Sequence, residues 1–283
     1  MSTPAISVVV ATRDRPAALE RCLTALSWQT AHDLEVVVVD DASQRPVAVV
    51  EAVTRAGQEA RARVVGGAGR GPAAARNLGA AAARGAVVLF TDDDCMPGPR
   101  WAQQLAAACA AGGAAAGTTI ADPRAGRAAA ASQLITHTLQ VASLDRATGM
   151  LGFAPTCNLA CHAEVLRAAP FDESFPLAAG EDRDWCDRLA AAGIELRHVA
   201  EAIVEHRPQL GAGGLARQGV RYGRGAVRYR AAAGERRLSG RAFYARLARE
   251  TARAGPRVAA LVVLAQAAGA AGAAIELASG SSR

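Results

Sequence analysis

Val87-Val88-Leu89-Phe90-Thr91-Asp92-Asp93-Asp94 runs from four apolar residues into three consecutive carboxylates. The apolar half, with its β-branched members, reads as a buried strand. Aspartates at its carboxyl end then fall in the crevice where open α/β sheets bind ligands. Three adjacent carboxylates repel one another, and a divalent cation relieves that repulsion. Hard oxygen donors select Mg2+ or Mn2+ over zinc. Because Mg2+ is commonly held by one or two carboxylates plus substrate phosphates, the run points to a nucleotide-diphosphate ligand. A solvated acidic turn is the alternative, so the flanking segments have to decide.

Upstream, Ile6 to Ala11 is a β-branched run bounded by Thr12-Arg13-Asp14-Arg15-Pro16, and Leu19, Cys22, Leu23 and Leu26 then recur at helical spacing. Leu34 to Val39 is almost wholly apolar, as in a parallel strand buried on both faces, and it too ends in carboxylates, Asp40-Asp41. A helix over Pro46 to Ala60 and a short strand at Arg63-Val64-Val65 follow. Gly66-Gly67-Ala68-Gly69-Arg70-Gly71-Pro72 opens onto an alanine-rich helix, Ala73 to Ala83. Such glycines either cradle phosphate through backbone N–H groups or form a plain loop. The dinucleotide fingerprint fails here, because its third glycine would stand at position 72, which is proline. An oxidoreductase is therefore the weaker reading, and Ile6 to Asp94 reads as an α/β doubly wound half.

Downstream, the spacing predicts a helix over Trp101 to Ala111, a strand at Thr118 to Ile120 and a helix over Ala128 to Leu144. Gly180-Glu181-Asp182-Arg183-Asp184-Trp185 marks the start of another helix. Carboxylates there stabilise the helix dipole by about 0.3–1 kcal/mol or serve as acid–base groups, and both readings stand. Ile194 to His198 and Ala202 to Val204 are the closing strands, followed by Glu205-His206.

With 51% hydrophobic and 20% charged residues over 283 positions, the chain is globular and can bury a sizeable core. All 32 basic residues are arginine. The net charge of +6 is uneven: Gly211 to Arg257 holds twelve arginines against Glu235 and Glu250, a balance of +10, which leaves −4 elsewhere. Arg217, Arg221, Arg224 and Arg228 form one helical stripe beside Tyr222 and Tyr229, suited to a solvated face, a diphosphate, an anionic acceptor or a membrane surface. Nucleic acid is not favoured, since the ligand edge of the sheet is acidic. Six scattered cysteines indicate a reducing compartment, and Cys157, Cys161 and His162 lack the second pair of a zinc site. The chain enters an apolar strand too short for a signal peptide, so a cytoplasmic location, with peripheral contact at the inner membrane face, is expected. Val258 to Ala274, apolar apart from Gln266, is at the short limit for a membrane span; a buried or dimer-forming helix is expected.

Taken together, these motifs resemble the inverting glycosyltransferases of family 2, which have the GT-A fold. The carriers are Thr12 to Pro16, Val38-Val39-Asp40-Asp41-Ala42-Ser43, Gly71 to Gly79, Asp92-Asp93-Asp94-Cys95-Met96-Pro97, Asn158-Leu159-Ala160, Phe171-Asp172-Glu173 with Gly180 to Asp184, and His206. The resemblance implies a Rossmann-like mixed α/β sheet flanked by helices, with a nucleotide-sugar half at 1–115, an acceptor half at 116–210 and a basic helical extension at 211–283. It implies a metal-dependent sugar transfer from a nucleotide diphosphate, UDP by expectation, to an acceptor hydroxyl on a glycan, a lipid-linked compound or a small natural product. Asp41 would accept from the base, with Thr12 and Arg15 lining that pocket. Arg76, Asn77, Asp92 and Asp93 would face the nucleotide and its phosphates. Asp94, with Asp92 and His206, would hold Mn2+ or Mg2+; Asp182 would be the general base and Glu181 its neighbour. The echo of a Gln-x-x-Arg-Trp motif at Gln218 to Tyr222 is partial, which argues against processive polymerisation. A nucleotidyltransferase and a catalytically silent nucleotide-binding protein are the rival readings.

Overall fold

The structure is a computed structural model describing residues 4–109, 112–175, 177, 179–232 and 240–280. Strands and helices alternate through β1 (Ile6–Thr12), α1 (Pro16–Ser27), β2 (Leu34–Asp40), α2 (Pro46–Arg55), β3 (Ala62–Gly66), α3 (Pro72–Ala82) and β4 (Val87–Asp92). Each of these three helices opens on proline, whose missing N–H would have no partner in a first turn anyway. Helix α2 stops at Arg55, short of Ala60, because the N–H groups of Gly57 and Gln58 turn back onto the carbonyls of Thr54 and Val53.

The chain continues through β5 (Cys95–Pro97), α4 (Trp101–Cys109), β6 (Ala114–Ala121), α5 (Gly126–Ala142), β7 (Leu144–Asp145), β8 (Met150–Leu151), β9 (Leu159–His162), α6 (Ala163–Ala168), α7 (Glu181–Ala191) and β10 (Leu196–His206). These strands join one mixed sheet of order β3-β2-β1-β4-β9-β6-β10-β8-β7, with β5 paired to β10. The first four are parallel, whereas β9 runs antiparallel to both β4 and β6 and stitches the halves together.

Strands β1, β2 and β4 are buried almost throughout because helices cover both faces. Val8, Val10, Val36, Val38 and Leu89 meet α1, α2 and α4 on one side. Their alternates Val9, Val37, Val39, Val88 and Phe90 meet α3, α6 and α7 on the other. The two closing strands expected from the sequence are one, β10, whose register with β6 shifts between Val199 and Ile203. Asn158 fastens that irregularity: wholly buried, it donates to the Ala202 carbonyl at 3.0 Å and accepts from the Trp101 indole at 2.8 Å.

The C-terminal extension is helical: α8 (Ala212–Ala232), α9 (Arg241–Arg253) and α10 (Pro256–Gly280). With α5 they enclose a third apolar cluster that includes Leu215, Phe243, Leu247, Val262 and Ala265. Helices α8 and α10 meet backbone to backbone, and a Cβ at Gly223 would collide with the Gly269 carbonyl. The arginine stripe divides here. Arg224 and Arg228 pair with Glu276 of α10 at 2.7 and 2.6 Å, whereas Arg217 and Arg221 are exposed. Of the two expectations for α10, buried or dimer-forming, the first does not hold within this chain, since one whole side of the helix faces solvent.

Candidate active site

Parallel pairing sets Thr12 beside Asp40 and Ala11 beside Asp92, so the ends of β1, β2 and β4 share one edge. Asp93 and Asp94 form the turn from β4 into β5 and point to different surroundings. Asp93 is fully buried, accepts from the Thr12 hydroxyl at 2.7 Å and pairs with Arg15 at 2.9 Å. Burial pushes its pKa up to about 7 against the pull of Arg15. Asp93, expected to face the nucleotide, turns its carboxylate inward here and anchors the turn. Asp94 reaches outward, with Oδ2 3.0 Å from Arg15 and Oδ1 3.3 Å from His206 Nε2. Burial alone would raise the Asp94 pKa, but the His206 contact and Arg15 bring it below the ordinary carboxylate value. The side chains of Thr12 and Arg15 thus serve the acidic turn and do not sit on Asp41.

Asp41 is buried at the head of the glycine loop, accepting from Gly69 N–H at 2.8 Å and from Gly71 N–H at 3.0 Å. The sequence left open whether this loop cradles phosphate. Two of its N–H groups in fact cradle a carboxylate of the chain itself.

Arg76 and Asn77 are neighbours on α3, about 100° apart around the helix, and so face different ways. Arg76 is buried and bridges Asp92 at 3.1 Å and Glu181 at 3.0 Å, tying the ends of β4 and α7 together. Asn77 instead clamps the Phe171 backbone, accepting from its N–H at 2.9 Å and donating to its carbonyl at 2.8 Å. Its amide is committed to this loop, so Asn77 is not brought together with the other expected site residues.

Helix α7 begins after Gly180, whose φ of 101° lies where a side chain would be strained. That turn delivers Glu181 to Arg76 and Asp182 to a cavity of about 200 Å³. Burial and the neighbouring Glu181 charge raise the Asp182 pKa to about 7, with Arg76 opposing. A carboxylate poised near neutrality suits proton abstraction at physiological pH. Helices α5 and α8 supply much of the opposite wall through Ile135, Leu139 and Tyr222. Ser132 donates to Gln218 at 2.8 Å and Gln218 donates to Tyr222 at 3.2 Å, which joins these two helices at the cavity.

His206, at the end of β10, lines the same cavity and its Nδ1 lies 3.0 Å from Gln133 Oε1. The Gln133 amide nitrogen donates to the Thr119 carbonyl at 2.9 Å, so its oxygen is left to accept from Nδ1–H. Nε2 is therefore the nitrogen turned to Asp94. Burial would lower the His206 pKa, yet the Asp94 contact pushes it up to about 9. Ligand atoms of Asp94, Cys95 and His206 lie within 4.8 Å of one another. Cys95 is fully buried, and burial holds its thiol well above its ordinary pKa, which leaves a carboxylate and an imidazole as the donors. Two cis donors of an octahedral ion with bonds of about 2.1 Å lie about 3.0 Å apart. At 3.3 Å apart, Asp94 Oδ1 and His206 Nε2 form an ion pair in this structure and are near enough for one such ion to reach both. Sequence reasoning missed Gln133, whose one signal is a glutamine within an alanine-rich helix.

The model of glycosyl transferase family 2 matches residues 7–167. The chain belongs to that family. The family 2 match takes in the acidic turn, Asp41 and Arg76 but ends before α7 and β10, so the reading of Asp182 and His206 rests on the geometry just described. The chain is 31% identical over 222 residues to the pre-mycofactocin glycosyltransferase of Mycobacterium tuberculosis, a match covering 72% of this chain and 43% of that protein. It thus spans less than half of that relative's length. It is 26% identical to glycosyltransferase AglE of Haloferax volcanii, over 79% of this chain and 73% of the relative. Among solved structures, the mannosyltransferase PcManGT of Pyrobaculum calidifontis, in complex with GDP-Man and Mn2+, aligns with a TM-score of 0.59 at 23% identity, covering 100% of this chain and 81% of that one. Glucosyl-3-phosphoglycerate synthase of M. tuberculosis, in complex with phosphoglyceric acid, gives 0.59 at 20% identity over 84% and 82%. The mixed sheet flanked by helices is the GT-A fold of these enzymes.

Proposed function

We propose that this family 2 chain transfers a sugar from a nucleotide diphosphate to an acceptor hydroxyl, with inversion at the anomeric carbon. The observation that carries the reading is that His206, beside Asp94, and Asp182, with its pKa near neutrality, line one cavity from opposite elements.

Asp94 and His206, with Asp92 as a third donor, would hold Mn2+ or Mg2+; the imidazole in the set favours Mn2+. The bound cation supplies a positive charge to the leaving diphosphate, the task a general acid has in hydrolases. Asp182 takes the acceptor proton as the hydroxyl attacks from the face opposite the leaving group. Arg76 keeps Asp92 and Glu181 in register across the cavity, and Glu181 holds the pKa of its neighbour up. Asp41 orders the glycine loop that would wall the nucleotide. Uracil is the base expected; guanine is a second candidate, since the similar PcManGT is in complex with GDP-Man. Ile135, Leu139, Phe153 and Pro155 give the cavity an apolar wall, which suits an acceptor with an apolar body, lipid-linked or a small natural product, over a bare glycan. All six cysteines are buried unpaired thiols, in keeping with a cytoplasmic setting. Peripheral membrane contact through the arginine stripe would rest on Arg217 and Arg221, since Glu276 holds the other two.

Thermal shift against a panel of UDP-sugars, GDP-mannose and nucleoside triphosphates, with and without Mn2+, tests the reading. A Mn2+-dependent rise with a nucleotide sugar, followed by release of the nucleoside diphosphate, is expected. Pyrophosphate release from a triphosphate would mark a nucleotidyltransferase, and binding without turnover over a wide range of acceptors would mark a silent protein.

A further inference from the structure

Helix α10 is long and apolar enough to cross a membrane, yet only 17% of its apolar window is buried. One side is packed: Val262 and Ala265 enter the third cluster, and Gly269 and Gly272 meet the backbone of α8. On the opposite side Val263, Leu264, Ala267, Ala271, Ala274 and Ile275 are exposed, Val263 to 66% and Ile275 to 49%. At 100° and 1.5 Å per residue these six fall within about 120° of the circumference and run for about 18 Å. Helices that border water ordinarily turn charged and polar residues outward. Here the one charged side chain of α10 after Arg257 is Glu276, and it faces inward to Arg224 and Arg228.

We infer that this open face of α10 is a docking surface for an anionic phospholipid bilayer, with the helix lying in the plane of the lipid surface. The charge around it selects that occupant. Arg257 falls at the edge of the same arc, Arg249 and Arg253 close α9, and Arg217 and Arg221 are exposed on α8, all within the segment of net charge +10. An aliphatic face with Arg257 at its rim, carried by a segment of net charge +10, matches the acyl boundary and the phosphates above it. A second copy docked face to face would instead bring two strongly basic segments together. Crossing the bilayer is disfavoured as well, because it would strip α10 from the glycines of α8 and break the pairing of Glu276 with Arg224 and Arg228. This surface is independent of the sugar-transfer reading, since none of its residues lines the cavity.

Flotation of the full chain with vesicles of phosphatidylcholine plus phosphatidylglycerol, and with phosphatidylcholine alone, tests the surface. The wild type is expected to bind the anionic vesicles, and the Val263→Asp/Ile275→Asp variant to bind them about tenfold or more weakly at an unchanged melting temperature. Val50→Asp, on the exposed side of α2, controls for general adhesiveness and should leave binding as it was. Failure of the wild type to float, equal binding by the double variant, or a dimer in light scattering that the same substitutions dissolve would each overturn the inference.

Discussion

Gln133 Oε1 accepts from His206 Nδ1 at 3.0 Å, and through this one bond α5 decides which imidazole nitrogen meets Asp94. Partners of this kind fix ring orientation and raise ligand basicity at metal sites. Gln133→Met should therefore weaken Mn2+ binding by about 10- to 100-fold while the protein stays folded. Calorimetric titration with Mn2+ alone checks this, and an unaltered affinity would remove Gln133 from the site.

The Asp182 carboxylate, held up to about 7 by burial and by Glu181, must be ionised to accept a proton. Sugar transfer should accordingly rise with pH and level off above about 7. Glu181→Gln removes the charge that raises the pKa and leaves Arg76 paired with Asp92, so the midpoint should move to lower pH. Initial rates across a pH series with saturating donor read the shift. A midpoint that stays put, or moves up, would mean that another group carries the proton.

Arg76 is the buried cation between Asp92 and Glu181, and its removal strands charge that burial has already separated from water. Arg76→Met should cost about 3–5 kcal/mol of folding stability, the range for breaking a buried pair from one side. Urea unfolding measures it; a cost near zero would mean that solvent reaches the pair.

Much of this arrangement was legible from the residues. Strands β1, β2 and β4 read correctly because burial on both faces demands an almost unbroken apolar run, and each ends in the polar residues of the ligand edge. The acidic run could not disclose that Asp93 turns inward while Asp94 turns outward, since both belong to a turn and no strand alternation separates them. The separate partners of Arg76 and Asn77 were hidden for a related reason: adjacency in sequence places the two on different sides of α3. Gln133 was invisible because its partner lies 73 residues away, on the far side of a β-bulge. The side of α10 left open to solvent follows only from where α8 packs.

Gly223 marks that packing, as any side chain there meets the Gly269 carbonyl. Gly223→Leu should destabilise the protein by about 1–3 kcal/mol, the usual cost of overpacking, with the loss seen in thermal unfolding. A neutral result would show that α8 and α10 part easily.

Asp182 is the group proposed to take the acceptor proton, and Asp182→Asn tests that role most directly. Asparagine keeps the size of the side chain and its ability to accept from Arg183 N–H at 2.9 Å, but it cannot act as the base. Paired measurement of turnover and of Mn2+-dependent donor affinity should show turnover reduced by about 10²–10⁴-fold with affinity unchanged. Near wild-type turnover, with the product still inverted at the anomeric carbon, would contradict the account.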